Sequence, residues 1–189
     1  MKNLKTVAIA LLVVFSTSTA SAQLKKVNVS KSKITWVGKK VTGEHSGTVD
    51  LKEGVLIFKD KKLTGGNFVV DMATISATDL KPEDGKGKLD GHLKADDFFG
   101  TEKYPLAKLV FKTIAAKANS VYTVTADLTI KDKTNPITFD IAVNGNIATT
   151  ALKIDRTKYD IKYGSGSFFS NLGDKTINDD FDVNVSLIF

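Results

Sequence analysis

Few residues in this sequence can perform covalent chemistry. It contains two histidines, His45 and His92, and no cysteine. His45 beside Ser46 combines a base with a hydroxyl nucleophile, the kind of pair that hydrolases use. Adjacent residues of a strand point to opposite faces, so this pair is poorly placed for proton transfer. The sequence therefore predicts no enzymatic activity and no catalytic residue, and a hydrolase is kept only as an alternative.

Two charged clusters resemble metal sites in composition alone. His92 follows Asp90 in a charged segment, and Asp179, Asp180 and Asp182 form an acidic run. The acidic run lacks the glycine-centred loop and the ligand spacing of a calcium site. Without cysteine, most transition-metal sites are also excluded. We therefore predict no bound metal.

Apolar and polar residues alternate along most of the chain, which is the period of strands that bury one face. The pair Asn144-Gly145 favours a tight hairpin and thus antiparallel neighbours. The alternation predicts strands near residues 27–39, 43–51, 54–59, 64–72, 106–114, 120–131, 136–144, 146–156 and 177–188. If residues 43–59 form one long strand bent near Gly54, the count is eight.

Two segments break the alternation. Leu89 and Leu93 lie at helical spacing within a charged stretch, which predicts a short helix near residues 86–96. Lys162–Asp174 is rich in glycine and serine and contains Phe168-Phe169, a composition typical of a loop, here one over a barrel mouth. No internal repeat and no domain boundary is visible.

Eight amphipathic strands bury their apolar faces and lose their edges if they close on themselves. The predicted fold is therefore all-β: a closed antiparallel eight-stranded β-barrel with one short helix in a long connection. Such an interior is either filled by side chains or holds one small ligand. Alternation within each strand predicts an inward apolar set that could line a tunnel: Trp36, Phe68, Val70, Leu109, Phe111, Leu128, Ile130, Phe139, Ile141, Phe181, Val183 and Val185.

Two polar side chains are candidates for contact with the polar end of a ligand at the barrel rim. His45 lies between Gly43 and Gly47, and Arg156 ends a predicted strand. The other interpretation is a packed or surface histidine for His45, and for Arg156 it is a structural pairing with a neighbouring carboxylate.

The N-terminus has the pattern of an export signal. Lys2 and Lys5 precede an apolar stretch from Val7 to Phe15, which runs into Ala20-Ser21-Ala22. We predict a signal peptide over residues 1–22, cleavage near Ala22, one domain over residues 23–189, and a periplasmic or secreted protein. The formal charge is +6, with lysines scattered among acidic residues, which argues against nucleic-acid binding.

An ordered set of short motifs resembles the YceI-like family. The motifs are Gly43-x-His45-x-Gly47, Gly66–Met72 with Ile75, Lys88–Lys94, Asp97-Phe98-Phe99, Tyr104-Pro105, Leu128–Lys131 and Ile154–Thr157. The resemblance covers essentially all of residues 23–189. It implies a lipocalin-like β-barrel with an apolar tunnel, associated with polyisoprenoids or other long-chain lipids.

These observations predict a lipid carrier or reservoir that holds an isoprenoid quinone, a polyprenyl chain or a fatty-acyl chain. A homodimer is compatible with this interpretation, whereas a membrane-spanning chain is not expected. The alternative from another class is an integral outer-membrane barrel, because the last strand has apolar residues at alternate positions up to Phe189. Aromatic residues do not form two girdles, however, and several strands carry outward lysines.

Overall fold

The computed structural model describes residues 22–189, so residues 1–21 of the predicted signal peptide lie outside the described part. In the described part, nine antiparallel strands form one sheet. They are β1 (Gln23–Lys26), β2 (Lys33–Lys40), β3 (Gly43–Lys59), β4 (Lys62–Ala77), β5 (Leu106–Ala116), β6 (Val121–Ile130), β7 (Lys133–Asn144), β8 (Ile147–Asp155) and β9 (Ile177–Ile188). A helix, α1 (Lys86–Lys94), lies between β4 and β5.

The sheet closes into a barrel because β3 pairs with β2 on one side and with β4 on the other. β1 and β2 share one position beside β3: Lys26 lies opposite Val55, and Ile34 lies opposite Val49. Eight strand positions therefore surround the interior. The prediction of a closed antiparallel eight-stranded barrel with one short helix is confirmed.

The predicted first strand, 27–39, was wrong in its bounds. Residues Val29–Lys31 form a 3₁₀ turn that separates β1 from β2. The Asn28 side chain accepts a hydrogen bond from the Lys31 N–H and caps this turn. Such a local side-chain bond competes with strand pairing, which the alternation of apolar residues does not reveal.

β3 is the single long strand over residues 43–59 that the sequence allowed, and β4 runs five residues beyond the predicted end at residue 72. An irregularity in β4 explains the missed extension. The Asp71 side chain accepts from the Ala73 N–H at 3.1 Å, and Thr74 Oγ1 donates to the Asp71 carbonyl at 2.7 Å. These bonds bend the strand and shift the apolar alternation, after which pairing continues to Ala77.

The segment between β4 and β5, residues 78–105, covers one end of the barrel and is called the lid here. α1 lies within it, as predicted. Asp90 of α1 accepts hydrogen bonds from the Ala77 N–H at 2.7 Å and from Ser76 Oγ at 2.9 Å. On the other side, Lys131 Nζ donates to the carbonyl oxygen of Phe98 at 2.8 Å. Both bonds hold the lid to strand ends.

The two ends of the barrel differ in their connections. The lid end also carries the β2–β3 turn and the connection from β8 to β9. The opposite end, called the hairpin end, carries the tight turns β3–β4 and β7–β8. Gly145 in the β7–β8 turn has φ +61°, which fits the Asn-Gly hairpin that the sequence predicted. Leu56 is fully buried at the hairpin end, and the Phe58 ring stacks on Phe189 at 5.5 Å.

The ends of the described chain meet in the wall. β2 pairs with β9, with Lys33 opposite Ser186 and Trp36 opposite Val183. In addition, the Ile188 N–H donates to Ser32 Oγ across 156 positions of sequence. The pairing of β2 with the last strand, β9, is therefore one of the seams that complete the ring.

Candidate ligand-binding cavity

An apolar cavity of about 170 Å³ lies inside the barrel, towards the lid end. Each strand from β2 to β9 contributes side chains to its wall. Within residues 22–189, polar side chains on this wall are limited to Thr150, Arg156 and Asn178. The buried residues Leu56, Phe58 and Leu63 do not line it, because they pack at the hairpin end. The cavity therefore ends on a packed core at its hairpin end.

The structure brings the predicted inward set together. All members of that set lie on the cavity wall: Trp36, Phe68, Val70, Leu109, Phe111, Leu128, Ile130, Phe139, Ile141, Phe181, Val183 and Val185. They converge because alternate residues of a strand share one face and the barrel turns that face inward. Their contact with a ligand stays a prediction.

Three aromatic rings form the deeper part of the wall. The Phe111 ring lies 5.5 Å from the Phe68 ring and 5.9 Å from the Phe139 ring. Gly66 makes room for them: a Cβ atom at this position would lie 2.8 Å from the Phe111 ring. Aromatic rings at these separations pack with favourable tilted geometry.

Trp36 depends on a similar close approach. A Cβ atom at Gly47 would lie 2.0 Å from the Ser76 carbonyl oxygen and 2.5 Å from the Trp36 ring. The indole Nε1–H donates to the Thr48 carbonyl at 3.2 Å, so the polar atom of the ring is satisfied while its face remains on the apolar wall. Packing therefore requires glycine at position 47, the second glycine of the Gly43-x-His45-x-Gly47 motif.

The lid supplies cavity residues that the sequence analysis did not assign. Leu93, Phe98 and Phe99 line the cavity, and the Phe99 ring reaches to 6.3 Å from the Phe181 ring of β9. These residues lie in or after a short helix, where strand alternation carries no information about direction. The signal that could have found them is the apolar pair Phe98-Phe99 in an otherwise charged segment.

Arg156 lies at the lid end of the cavity wall and is 2% exposed. Its guanidinium donates to three backbone carbonyls: Ile161 at 2.8 Å, and Ile177 and Asn178 at 3.0 Å each. The structural pairing that the sequence analysis gave as an alternative to a rim contact is therefore present. Of these three partners, Ile177 and Asn178 also line the cavity.

Charges and a ring also surround the Arg156 guanidinium. Asp179 lies 3.6 Å from it, and the Phe98 ring centroid lies 5.8 Å away. Burial lowers the pKa of Arg156, while Asp179 and Asp155 act in the opposite direction. A buried cation at the end of an apolar cavity, paired and hydrogen-bonded, is the one charged feature of the wall in residues 22–189.

The structure places His45 away from the cavity wall. Its Nδ1 lies 2.8 Å from Asp79, whose other carboxylate oxygen accepts from the Ser46 backbone N–H at 3.1 Å. Burial raises the pKa of Asp79, but the bonds from His45 and Ser46 outweigh it, so this pKa is lowered. The sequence did not point to Asp79 because this residue lies in the lid, where strand alternation gives no information about side-chain direction. Ser46 enters this arrangement through its backbone.

The acidic run is divided among different partners. Ser167 donates to Asp179, and Asp182 forms ion pairs with Lys39 and Lys153. Within residues 22–189 no group of three His, Cys, Asp or Glu side chains is arranged to hold a metal ion. His92 instead lies between two rings, 4.5 Å from Tyr163 and 5.5 Å from Phe98.

None of the described helices has the length and apolarity needed to cross a membrane.

The cavity is small compared with a long lipid. Its volume of about 170 Å³ is close to the ~150 Å³ of an engineered cavity that holds benzene. Pockets for drug-sized ligands have roughly 300–1,000 Å³. An extended chain therefore requires side chains on the wall to move.

A family model described as a YceI-like domain matches residues 26–189. This match confirms the resemblance inferred from the motifs. Among curated proteins, a UPF0312 protein of Shewanella denitrificans is 33% identical over 86 residues, which cover 46% of this chain and 42% of that protein. The chain spans less than half the length of the curated relatives it matches.

Two solved structures share the fold. BcnA of Burkholderia cenocepacia superposes with a TM-score of 0.65 at 23% identity, covering 86% of this chain and 99% of that one. A polyisoprenoid binding domain from Saccharophagus degradans, implicated in plant cell wall breakdown, gives a TM-score of 0.59 at 14% identity over 89% of this chain and 97% of that one. At these identities the similarity establishes the barrel architecture.

Proposed function

The chain belongs to the YceI-like domain family, and on that premise we propose that it is a lipid-binding protein that holds one long apolar chain inside its barrel. The ligand is an isoprenoid quinone, a polyprenyl chain or a fatty-acyl chain, and the protein acts without catalysis as a periplasmic or secreted carrier or reservoir. The observation that carries this proposal is an interior cavity to which every strand from β2 to β9 contributes apolar side chains.

The chemistry of the wall supports an extended hydrocarbon ligand. Burying each methylene group contributes about 0.8 kcal/mol, so affinity grows with chain length and needs few polar contacts. Along β9 the lining runs from Ile177 to Leu187, which is roughly 33 Å along the strand before tilt shortens it. Once wall side chains move apart, an apolar path along this strand suits an extended chain better than a compact metabolite. The polyisoprenoid binding domain among the structural neighbours agrees with this class of ligand.

The outer face of the barrel supports a protein that does not span the membrane. Lys117, directly after β5, pairs with Asp140 of β7 at 2.7 Å, and Lys112 of β5 pairs with Asp127 of β6 at 3.4 Å. An outer-membrane barrel presents an apolar band to lipid at such positions, where lysine is costly. These ion pairs favour the carrier over the outer-membrane alternative.

The proposal is tested by native mass spectrometry of residues 23–189 purified without detergent, followed by organic extraction. We expect one apolar molecule per barrel, which is released on unfolding. The cavity variant is Val183→Trp, which adds volume inside at a cost of ~1–3 kcal/mol. The matched control is Val110→Trp, because Val110 is 40% exposed on the outer face of β5.

We expect Val183→Trp to lose the extractable lipid and Val110→Trp to retain it, with both variants folded by circular dichroism. The proposal is wrong if the folded cavity variant carries as much lipid as the parent. It is equally wrong if the parent binds no apolar chain when it is refolded in the presence of a prenyl lipid.

A further inference from the structure

The lid end exposes aromatic side chains to solvent. In the β8–β9 connection, residues 162–176, here called the aromatic loop, Tyr163 is 47% exposed, Phe168 is 50% exposed and Phe169 is 51% exposed. Single exposed apolar residues are common on proteins, but clustered ones mark interaction sites. Two adjacent phenylalanines and a tyrosine within seven residues form such a cluster.

Backbone hydrogen bonds within the loop hold these rings at the surface. Ser165 is fully buried, and its carbonyl oxygen accepts from the N–H groups of both Phe168 and Phe169. The Ile177 N–H donates to the Gly164 carbonyl at 2.8 Å and ties the loop to β9. The backbone that presents the two rings is thus hydrogen-bonded in place.

A fourth residue joins the patch from the β2–β3 turn. Val41 is 63% exposed, and its N–H donates to the Thr176 carbonyl at 3.2 Å, which places the turn beside the aromatic loop. Lysines accompany the apolar groups: Lys40 adjoins Val41, and Lys175 adjoins Thr176. The Lys162 Nζ lies 5.1 Å from the Phe168 ring centroid and pairs with Asp160 at 2.9 Å, so Lys40 and Lys175 are the lysines available to anionic head groups. Aromatic rings with lysines are typical of surfaces at the membrane interface.

The patch is continuous with the mouth of the cavity. The Tyr163 ring packs at 4.5 Å against His92 of α1, and His92 packs against Phe98, which lines the cavity. Ile177, bonded to the loop, also lines the cavity. The exposed rings and the lid therefore face the same side of the molecule.

We propose that the aromatic loop and the β2–β3 turn dock the protein onto a lipid bilayer with anionic head groups. Phe168, Phe169 and Val41 enter the interfacial region, and the lysines contact the head groups. The lid then faces the bilayer, and an apolar chain passes between bilayer and cavity without crossing water. The passage of a chain into the cavity rests on the proposed function, whereas docking onto the bilayer does not.

The docking test is flotation with vesicles of phosphatidylethanolamine and phosphatidylglycerol. Phe168→Ser combined with Phe169→Ser removes the two rings, and Ile147→Ser is the matched control because Ile147 is 40% exposed at the hairpin end. We expect the double variant to bind vesicles at least about tenfold more weakly, since two partly buried rings are lost. The control is expected to bind like the parent.

A fluorescent reporter makes the test independent of folding defects. Phe169→Trp is expected to shift its emission to shorter wavelength on addition of vesicles, and Ile147→Trp is not. Trp36 is buried and common to both variants. Equal shifts in the two variants, or unchanged flotation of the double serine variant, would overturn the proposal.

Two further outcomes are informative. If light scattering shows a dimer that the double serine variant abolishes, the patch binds a second copy of the chain and bilayer docking is wrong. If Val183→Trp floats with vesicles but the parent carries no lipid, docking stands while the cavity function fails. Failure of docking with normal lipid content leaves the cavity function intact.

Discussion

The hairpin end and the lid end of this barrel are closed by different forces. At the hairpin end, Leu56 is fully buried, Leu63 is 3% exposed, and Phe58 stacks on Phe189. These apolar contacts are collectively strong and leave no space for a ligand. The chain connections there are tight turns. Opening this end would expose core side chains to water.

At the lid end, the buried apolar side chains of Leu93, Phe98 and Phe99 border the cavity, and polar contacts hold the lid to the strand ends. Asp90 bonds to Ser76 and the Ala77 N–H, and Lys131 bonds to backbone carbonyls of the lid. Each such bond contributes about 1–3 kcal/mol. The difference favours opening at the lid end: a packed core closes the hairpin end, whereas the apolar side chains of the lid face the cavity and hydrogen bonds tie the lid to the wall.

The largest expected effect compares two leucines, one at each end. Leu56→Ala is expected to lower the free energy of unfolding by about 4 kcal/mol, because a fully packed side chain leaves a cavity. Leu93→Ala in α1 is expected to cost only about 2 kcal/mol, since Leu93 borders the cavity and is less completely surrounded by packed side chains. Chemical denaturation measures both. Equal costs would contradict the distinction between the ends.

A smaller effect is expected from loosening the lid alone. Asp90→Asn removes the charge that receives bonds from Ser76, Ala77 and Lys86, at about 1.5–3 kcal/mol. We expect faster hydrogen exchange across residues 78–105, faster lipid exchange, and unchanged protection at the hairpin end. Asp84→Asn, at an exposed position of the lid, is the control. Uniform loss of protection through the barrel would show that lid and wall unfold together.

The smallest effect is a pH dependence of the lid. Burial raises the pKa of Asp90, but bonds from Lys86, the Ala77 N–H and Ser76 outweigh it, so the pKa lies below its ordinary value of 3.8. A lowered folded-state pKa contributes stability that is present above the unfolded value and is lost as pH falls through the folded value. Hydrogen exchange in α1 is therefore expected to rise below about pH 3.8, and in Asp90→Asn this step should be absent.

The wall could be predicted because its geometry is local. Phe139 and Ile141, two positions apart on β7, share a face in any strand, so alternation alone places both inside. The barrel followed because eight such faces have to be buried together. The 3₁₀ turn at Val29–Lys31 was missed because one capping side chain, Asn28, decides it.

The lid could not be predicted in the same way, because its residues are positioned by tertiary contacts. Phe99 reaches β9 only after Asp90 and Lys131 fix the connection to two different strand ends. Asp79 likewise meets His45 across 34 positions of sequence. The residue types in the lid suggest only a charged surface. Their contacts with the strands depend on the course of the lid backbone, and the sequence of the lid has no periodic pattern that predicts this course.

The pairing of β2 with β9 has a consequence for the folding reaction. Lys33 lies opposite Ser186, so the ring of hydrogen bonds has to bring together segments that are far apart in the chain. Closing such long loops carries an entropic cost before the contacts stabilise the product, and proteins rich in distant pairings fold slowly. An intermediate without β9 (Ile177–Ile188) would expose the edges of β2 and β8 and open the cavity to water. Addition of β9 is therefore expected to be the late, cooperative step of folding, in which a curved open sheet becomes a closed barrel with an enclosed cavity.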